Sequence, residues 1–265
     1  MKENIITFDM SVGRQKPETM RHRQADCPFC DREHLTGIVA TAGDMIFLHN
    51  KYNVMQGADQ YVLIEGSDCD AEMPDYSPAH MHEVIRFGLV NWQHMLDSQR
   101  YTDVIFFKNC GPFSGGTIHH PHMQLIGLHD IDRSLLYDDS WFHGPVIDRT
   151  QRVTLNISDA PKIGFWELNI TAGMPLDELL SDKPASQVSL ITLADDIQHC
   201  VDYLTRHFNR GRCDSYNLFF YHPANMVRVK ILPRYTTPPL YVGYDIHFCP
   251  SNLDDVINDF RALYY

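Results

Sequence analysis

The sequence predicts an α+β protein made of two half-domains, and three observations lead there. One order of elements, an extended run, a long helix and two further extended runs, occurs twice along the 265 residues. Each long helix shows as apolar residues recurring at the 3.6-residue period. A hydrophobic content of 44% over this length is enough to bury a full core, as one large domain or as two fused halves.

In the first half, Tyr61 to Glu65 reads as extended. Ser77-Pro78 then supplies an N-cap and a first-turn residue, and Met81, Val84, Ile85, Leu89, Trp92 and Leu96 follow at helical spacing as core residues. A strand from Val104 to Lys108, a glycine turn and a histidine-bearing strand close this half. The second half repeats the order: an extended run around Phe165 to Ile170, a helical pattern through Leu190, Ile197, Val201, Leu204 and Phe208, then Tyr216 to Tyr221 and Met226 to Leu232. Superposing the halves puts Arg228 where the first has His120, and Lys230 where it has His122, so only the first half keeps imidazole chemistry. A last amphipathic helix carries Leu253, Val256, Ile257 and Phe260. The halves are expected to span residues 1–150 and 151–265, joined through a polar stretch from His129 to Arg149. Asp138-Asp139 within it reads as a solvated turn rather than a metal site.

Charge and composition exclude several classes of function. A formal net charge of −12 argues against binding polymeric nucleic acid, although a small nucleotide needs only one local pocket. No run approaches the ~18 apolar residues of a membrane span, and Met1-Lys2-Glu3-Asn4 opens no export signal. Seven cysteines with one close pair do not form a disulfide framework. The expectation is a cytoplasmic protein without a membrane partner.

The most informative run is His119-His120-Pro121-His122-Met123-Gln124, preceded by Asn109 and Ser114-Gly115-Gly116-Thr117. Read as a strand, its period of two puts His120, His122 and Gln124 on one face. Glycines just upstream let backbone N–H groups approach a phosphate closely. A second constellation, Cys27-Pro28-Phe29-Cys30, has the spacing that brings two thiolates to one tetrahedral zinc. Its polar, loop-like flanks favour a structural metal over a redox dithiol.

Together these motifs resemble the galactose-1-phosphate uridylyltransferase family of the histidine-triad superfamily. That family carries an N-terminal C-x-x-C and a later H-P-H-x-Q with an asparagine eleven positions before its first histidine, the offset of Asn109 from His120. Arg14-Gln15-Lys16-Pro17, Asn50-Lys51-Tyr52 and Tyr241-Val242-Gly243-Tyr244-Asp245 are similar to further family segments. The resemblance implies a histidine-triad-like fold in which each half has an antiparallel sheet with packed helices, and it implies a homodimer. It makes His120 a zinc ligand, His122 the nucleophile that accepts a nucleotidyl group, and Gln124 a phosphoryl ligand. Asn109, Ser114, Gly115, Gly116 and Thr117 become the phosphate loop, and Asn50 part of the nucleotide site. By ungapped alignment, the remaining ligand of the one structural zinc falls on Cys69, giving Cys27, Cys30, Cys69 and His120, with His119, His80 and His82 as rivals for the last place. Arg228 to Pro233 offers no ligands for the second metal that some members hold.

Gln124 bears on the reaction. Hydrolytic members of the superfamily place a third histidine there, able to protonate a leaving group, whereas glutamine cannot. Transfer between phosphates needs less help. The leading expectation is a nucleotidyltransferase that moves a nucleoside monophosphate between a nucleotide sugar and a sugar 1-phosphate. A phosphorylase or hydrolase with the same intermediate, and a non-catalytic nucleotide-binding protein, are the alternatives.

Overall fold

A computed structural model describes residues 5–265, so the opening Met1-Lys2-Glu3-Asn4 lies outside the described residues. The first half contributes strands β1 (Ile38–Ala42), β2 (Met45–His49), β3 (Ala58–Ile64), β4 (Asp103–Cys110) and β5 (His122–Leu128), with helix α1 (Pro78–Asp97) between β3 and β4. Strand β6 (Val146–Arg149) falls before the expected boundary at residue 150 but pairs with β7 (Val153–Ile157), so it is counted with the second half. That half adds β8 (Leu168–Pro175), β9 (Tyr216–Tyr221) and β10 (Met226–Pro233), with helix α2 (Pro184–Asp202) between β8 and β9. Helix α3 (Leu253–Tyr264) closes the chain.

The two sets of strands merge into one antiparallel sheet in the order β1-β2-β3-β5-β4-β9-β10-β8-β7-β6. This order reads the same from either end, with β4 and β9 as the central pair, so the fold is α+β with internal two-fold character. Directly opposed residues share a sheet face. One row of the ladder therefore runs Val62, Gln124, Phe107, Phe219, Lys230, Asn169 and Asn156 across seven strands on one face. The adjacent row carries Leu63, Met123, Lys108, Leu218, Ile231 and Leu168 on the other face, where the main core lies.

Helix α1 forms as its local sequence requires. Ser77 caps it, its Oγ accepting from His80 N at 3.3 Å, and Pro78 fits the first turn because its missing N–H would be unpaired there. Met81, Val84, Ile85, Leu89 and Trp92 are all buried against the sheet, and the Trp92 indole N–H donates to Val104 O at 2.7 Å. Gly88 lets the helix approach closely, since a Cβ there would meet the Phe106 ring at 2.6 Å.

Helix α2 stops short of the predicted pattern. After Asp202 the chain makes one π turn, Tyr203–His207, and Asn209 and Arg210 take left-handed φ values of 47° and 60°. Thr205 Oγ1 bonds back to Val201 O at 2.7 Å, and Phe208 docks edge-on against Trp166 at 4.6 Å instead of continuing the helical face. No described helix is long and apolar enough to cross a membrane.

Candidate active site and metal cluster

Strand β5 begins at His122, one residue after Pro121, which has no N–H to donate to a ladder. His120 therefore precedes the strand and does not share a face with His122 and Gln124 as strict alternation predicts. Its ring turns toward Cys27, Cys30 and Cys69, and the four ligand atoms all lie within 4.8 Å of one another. Cys30 Sγ stands 3.5 Å from His120 Nδ1, close to the ~3.6 Å edge of a tetrahedron built from zinc–sulfur and zinc–nitrogen bonds.

The donor set fits a metal on chemical grounds as well. His120 Nε2–H donates to Gly66 O at 3.0 Å, which fixes the tautomer and leaves Nδ1 as the lone-pair nitrogen facing the thiols. Burial raises the Cys27 thiol, but its interaction with the His120 ring and hydrogen bonds from the backbone N–H groups of Phe29 and Cys30 outweigh it and bring the pKa down to about 7. A thiolate is thereby within easy reach at neutral pH. The three rival histidines are engaged elsewhere. His82 pairs with Asp195 at 2.7 Å, His80 packs edge-on against Tyr76, and His119 bonds Asp70 and Arg23.

His122 and Gln124 enter a cavity of about 490 Å³ on the sheet face opposite the helices. Asn109, Gly115, Gly116, Thr117 and Asn50 line the same cavity. His122 Nδ1–H donates to the main-chain carbonyl of His120 at 2.8 Å, so its Nε2 carries the free lone pair. Burial pushes its pKa down to about 4, which keeps the ring neutral at pH 7. Phe29 packs edge-on to both His120 and His122, with centroids 5.9 and 5.3 Å away, and so separates metal cluster from cavity.

The glycine loop is shaped by its hydrogen bonds. Gly111 has a φ of +82°, and a Cβ there would lie 2.0 Å from Asp214 O, so only glycine fits. Ser114 is not among the cavity-lining residues: its Oγ donates to Gly111 O at 2.7 Å and accepts from Gly116 N at 3.3 Å, holding the turn closed. Gly115, at φ +90°, has open space where a side chain would be. Thr117 O accepts from Thr19 N and Met20 N, tying the loop to the N-terminal segment.

Several lining residues escape the motif-based reading. Lys16 and Lys51 bring positive charge to the cavity of a chain whose net charge is −12, and Phe29, His34, His49 and Gln60 line it too. Gln60 is legible in retrospect, because it lies two residues from Val62 on the face that Gln124 occupies. Its Oε1 accepts from Val54 N at 2.7 Å and Met55 N at 3.2 Å, anchoring the carboxamide. Asn50 is likewise held, its Oδ1 accepting from Tyr52 N at 2.9 Å.

Residues 8–131 match the family model described as the N-terminal domain of a domain of unknown function, DUF4931, and residues 135–265 match its C-terminal domain. The chain belongs to the DUF4931 family. A DUF4931 family protein from Bacillus cereus, known from its crystal structure, is 36% identical, with 85% of this chain and 98% of that one covered and a TM-score of 0.73. More distant structures share the fold. An ADP-glucose phosphorylase from Arabidopsis thaliana, with bound ADP-glucose, is 15% identical over 96% of this chain and 93% of its own, with a TM-score of 0.71. A uridylyltransferase is 12% identical over 90% and 91%, with a TM-score of 0.69. No curated protein matches the chain. The mixed α/β architecture, one continuous antiparallel sheet with packed helices, is thus shared with these solved structures.

Proposed function

We propose that this protein is a nucleotidyltransferase that moves a nucleoside monophosphate between a nucleotide sugar and a sugar 1-phosphate through a nucleotidyl-His122 intermediate. The observation that carries the reading is the state of His122. A neutral imidazole, with Nδ1–H fixed on His120 O, presents its Nε2 lone pair to a cavity bordered by a glycine loop. In the first step Nε2 attacks the α-phosphorus, an N–P bond forms, and the P–O bond to the sugar phosphate breaks. In the second step a phosphate oxygen of the acceptor attacks the same phosphorus and releases the imidazole. Gln124 and the backbone N–H of Gly115 receive the charge that develops on the transferring phosphoryl, Gly116 keeps the turn closed through its bond to Ser114 Oγ, and Lys16 and Lys51 attract the diphosphate.

Cys27, Cys30, Cys69 and His120 hold one structural zinc in this reading, which ties the N-terminal loop to the start of β5. Neither substrate phosphate of a transfer reaction needs protonation to leave, which suits Gln124 in place of a third histidine. The distant likeness to a uridylyltransferase and an ADP-glucose phosphorylase supports a nucleotide sugar as donor.

The test is incubation with UDP- and ADP-sugars labelled in the α-phosphate, followed by assay for acid-labile label on the protein. The wild type is expected to take up label and to release it to a sugar 1-phosphate, whereas His122→Ala takes up none and keeps its zinc content. Transfer by His122→Ala at the wild-type rate would rule out the covalent route. Release to inorganic phosphate alone would make the enzyme a phosphorylase.

A further inference from the structure

Behind Asn109 stands a hydrogen-bonded chain that comes entirely from the second half of the molecule. Asn109 on β4 is directly opposed to Asn217 on β9 at the centre of the sheet. Asn217 is buried, its Nδ2 donating to Asn109 Oδ1 at 2.6 Å and to Ser114 O at 3.0 Å, while its Oδ1 accepts from Arg234 Nη1 at 2.5 Å. The direction of this chain is fixed at both ends. A guanidinium can only donate and a main-chain carbonyl can only accept, so Asn217 must turn Oδ1 toward Arg234 and Nδ2 toward the loop. Asn109 must then use its own Oδ1 as acceptor. Its Nδ2, a donor, is what remains for the cavity that Asn109 lines with His122 and Gln124.

The same segment holds the loop at further points. Ser215 Oγ accepts from Phe113 N at 3.1 Å, and Arg234 N donates to Ser215 O at 2.7 Å. At Gly111 the loop passes so close to Asp214 O that no side chain fits.

We infer that Asn217, held by Arg234, is a positioning residue for the first-half site: it orients the Asn109 carboxamide so that an N–H, not a carbonyl, faces the transferring phosphoryl. The inference rests on the reading that His122 accepts a nucleotidyl group. It also gives the second half, which lacks the histidines, a part in the reaction. An aspartate at 217 would accept from Arg234 with nearly the same shape but could not donate to Asn109. The Asn109 amide would then turn to donate to the new carboxylate and leave Oδ1, an acceptor, against the anionic phosphoryl.

Two measurements test this on the full-length protein. In the first, Asn217→Asp is expected to slow formation of acid-labile label by about 100-fold or more, with zinc content unchanged. Arg234→Met is expected to slow it by about tenfold and Arg234→Lys, which restores a donor, to recover most of that loss. Labelling at the wild-type rate by Asn217→Asp overturns the inference, as does a rate loss that Arg234→Lys and Arg234→Met share equally.

The second measurement does not need turnover. In protein labelled with ¹⁵N-asparagine, UMP is expected to shift the Asn109 side-chain amide resonances in the wild type and not in Asn217→Asp. Equal shifts in both overturn the inference. Absence of label on the wild type, with this difference in shifts intact, instead removes the covalent reading and leaves the orientation of Asn109 standing.

Discussion

Gln124 and Lys230 lie in one cross-sheet row, each one strand out from the central β4–β9 pair, yet one faces a cavity and the other a filled space. The ladder thus sets Lys230 against Gln124, where the sequence superposition set it against His122. Around Gln124 the glycine loop stands back, and about 490 Å³ is left for a ligand. Around Lys230 the connecting segment folds over the sheet. Lys230 Nζ lies 2.7 Å from Glu167 Oε2, 2.7 Å from Trp141 O and 3.0 Å from Asn169 Oδ1, and it sits over the Phe142 ring. Its neighbour Arg228 bonds Tyr137 and Asp139 of the same segment. The ammonium thus takes the place of a ligand's polar group, and the chain supplies its own partners. The second half can thus lack the imidazole pair and keep its packing, because the buried ammonium of Lys230 and carboxylate of Glu167 find partners within the chain.

If metal dependence belongs only to the first half, removing the metal should break the molecule unevenly. The ligands come from three distant segments, around residues 27–30, at 69 and at 120, all in the first half. Cys69→Ala is expected to lower bound zinc below one equivalent and to cost on the order of 4 kcal/mol, a fall in Tm of about 10 °C for a chain of this size. Hydrogen exchange should speed up in β3 and β5 and change little in β7 and β8. Uniform acceleration across the sheet would show instead that the halves unfold as one unit.

The filled second-half site offers the converse perturbation. Lys230→Met leaves Glu167 buried without its cation, and breaking such a pair costs about 3 kcal/mol. The loss is held at that end of the range because Glu167 still accepts from Lys162 N and Ile163 N, each at 2.8 Å. Labelling of His122 is expected to persist in this variant, as urea denaturation and the labelling assay together would show. Loss of labelling without loss of stability would mean that the second site is not merely packed.

What could be read from the sequence divides along the same lines as locality. Helix α1 was legible because its cap, Ser77-Pro78, and its buried face are set within twenty residues. The metal cluster was legible in part: the spacing of Cys27 and Cys30 announces a thiolate pair, whereas Cys69 and His120 came only from the family resemblance, since nothing local ties them to that pair. The end of the second long helix was not, since left-handed turns at Asn209 and Arg210 depend on Phe208 reaching Trp166. Nor was the support behind Asn109. Its partner Asn217 stands 108 positions away, brought there only by the pairing of β4 with β9, and no local pattern announces that pairing. Pro121 was in plain view, but its effect, starting the strand after it and sending His120 and His122 to different sites, needed the ladder to be seen.

The smallest contrast lies between the two long helices. The buried face of α1 carries no ionisable side chain, whereas that of α2 includes Asp196. Burial raises the Asp196 carboxyl from 3.8 to about 7, aided by Asp148 and Asp195 and opposed by a hydrogen bond from the Tyr265 hydroxyl. A folded-state value above the unfolded one means that the group favours the fold most fully below about pH 4, where both states are protonated, and loses that support as pH rises through 7. Asp196→Asn keeps a carbonyl to accept from Tyr265 and cannot ionise. It is expected to stabilise the protein by on the order of 2 kcal/mol at pH 8, less than the full linkage value because the helix end can relax, and by roughly a third of that at pH 5. Denaturant titrations at pH 5, 6.5 and 8 would follow the difference. A gain that stays constant with pH would place its origin in packing and would make the two helices alike in this respect.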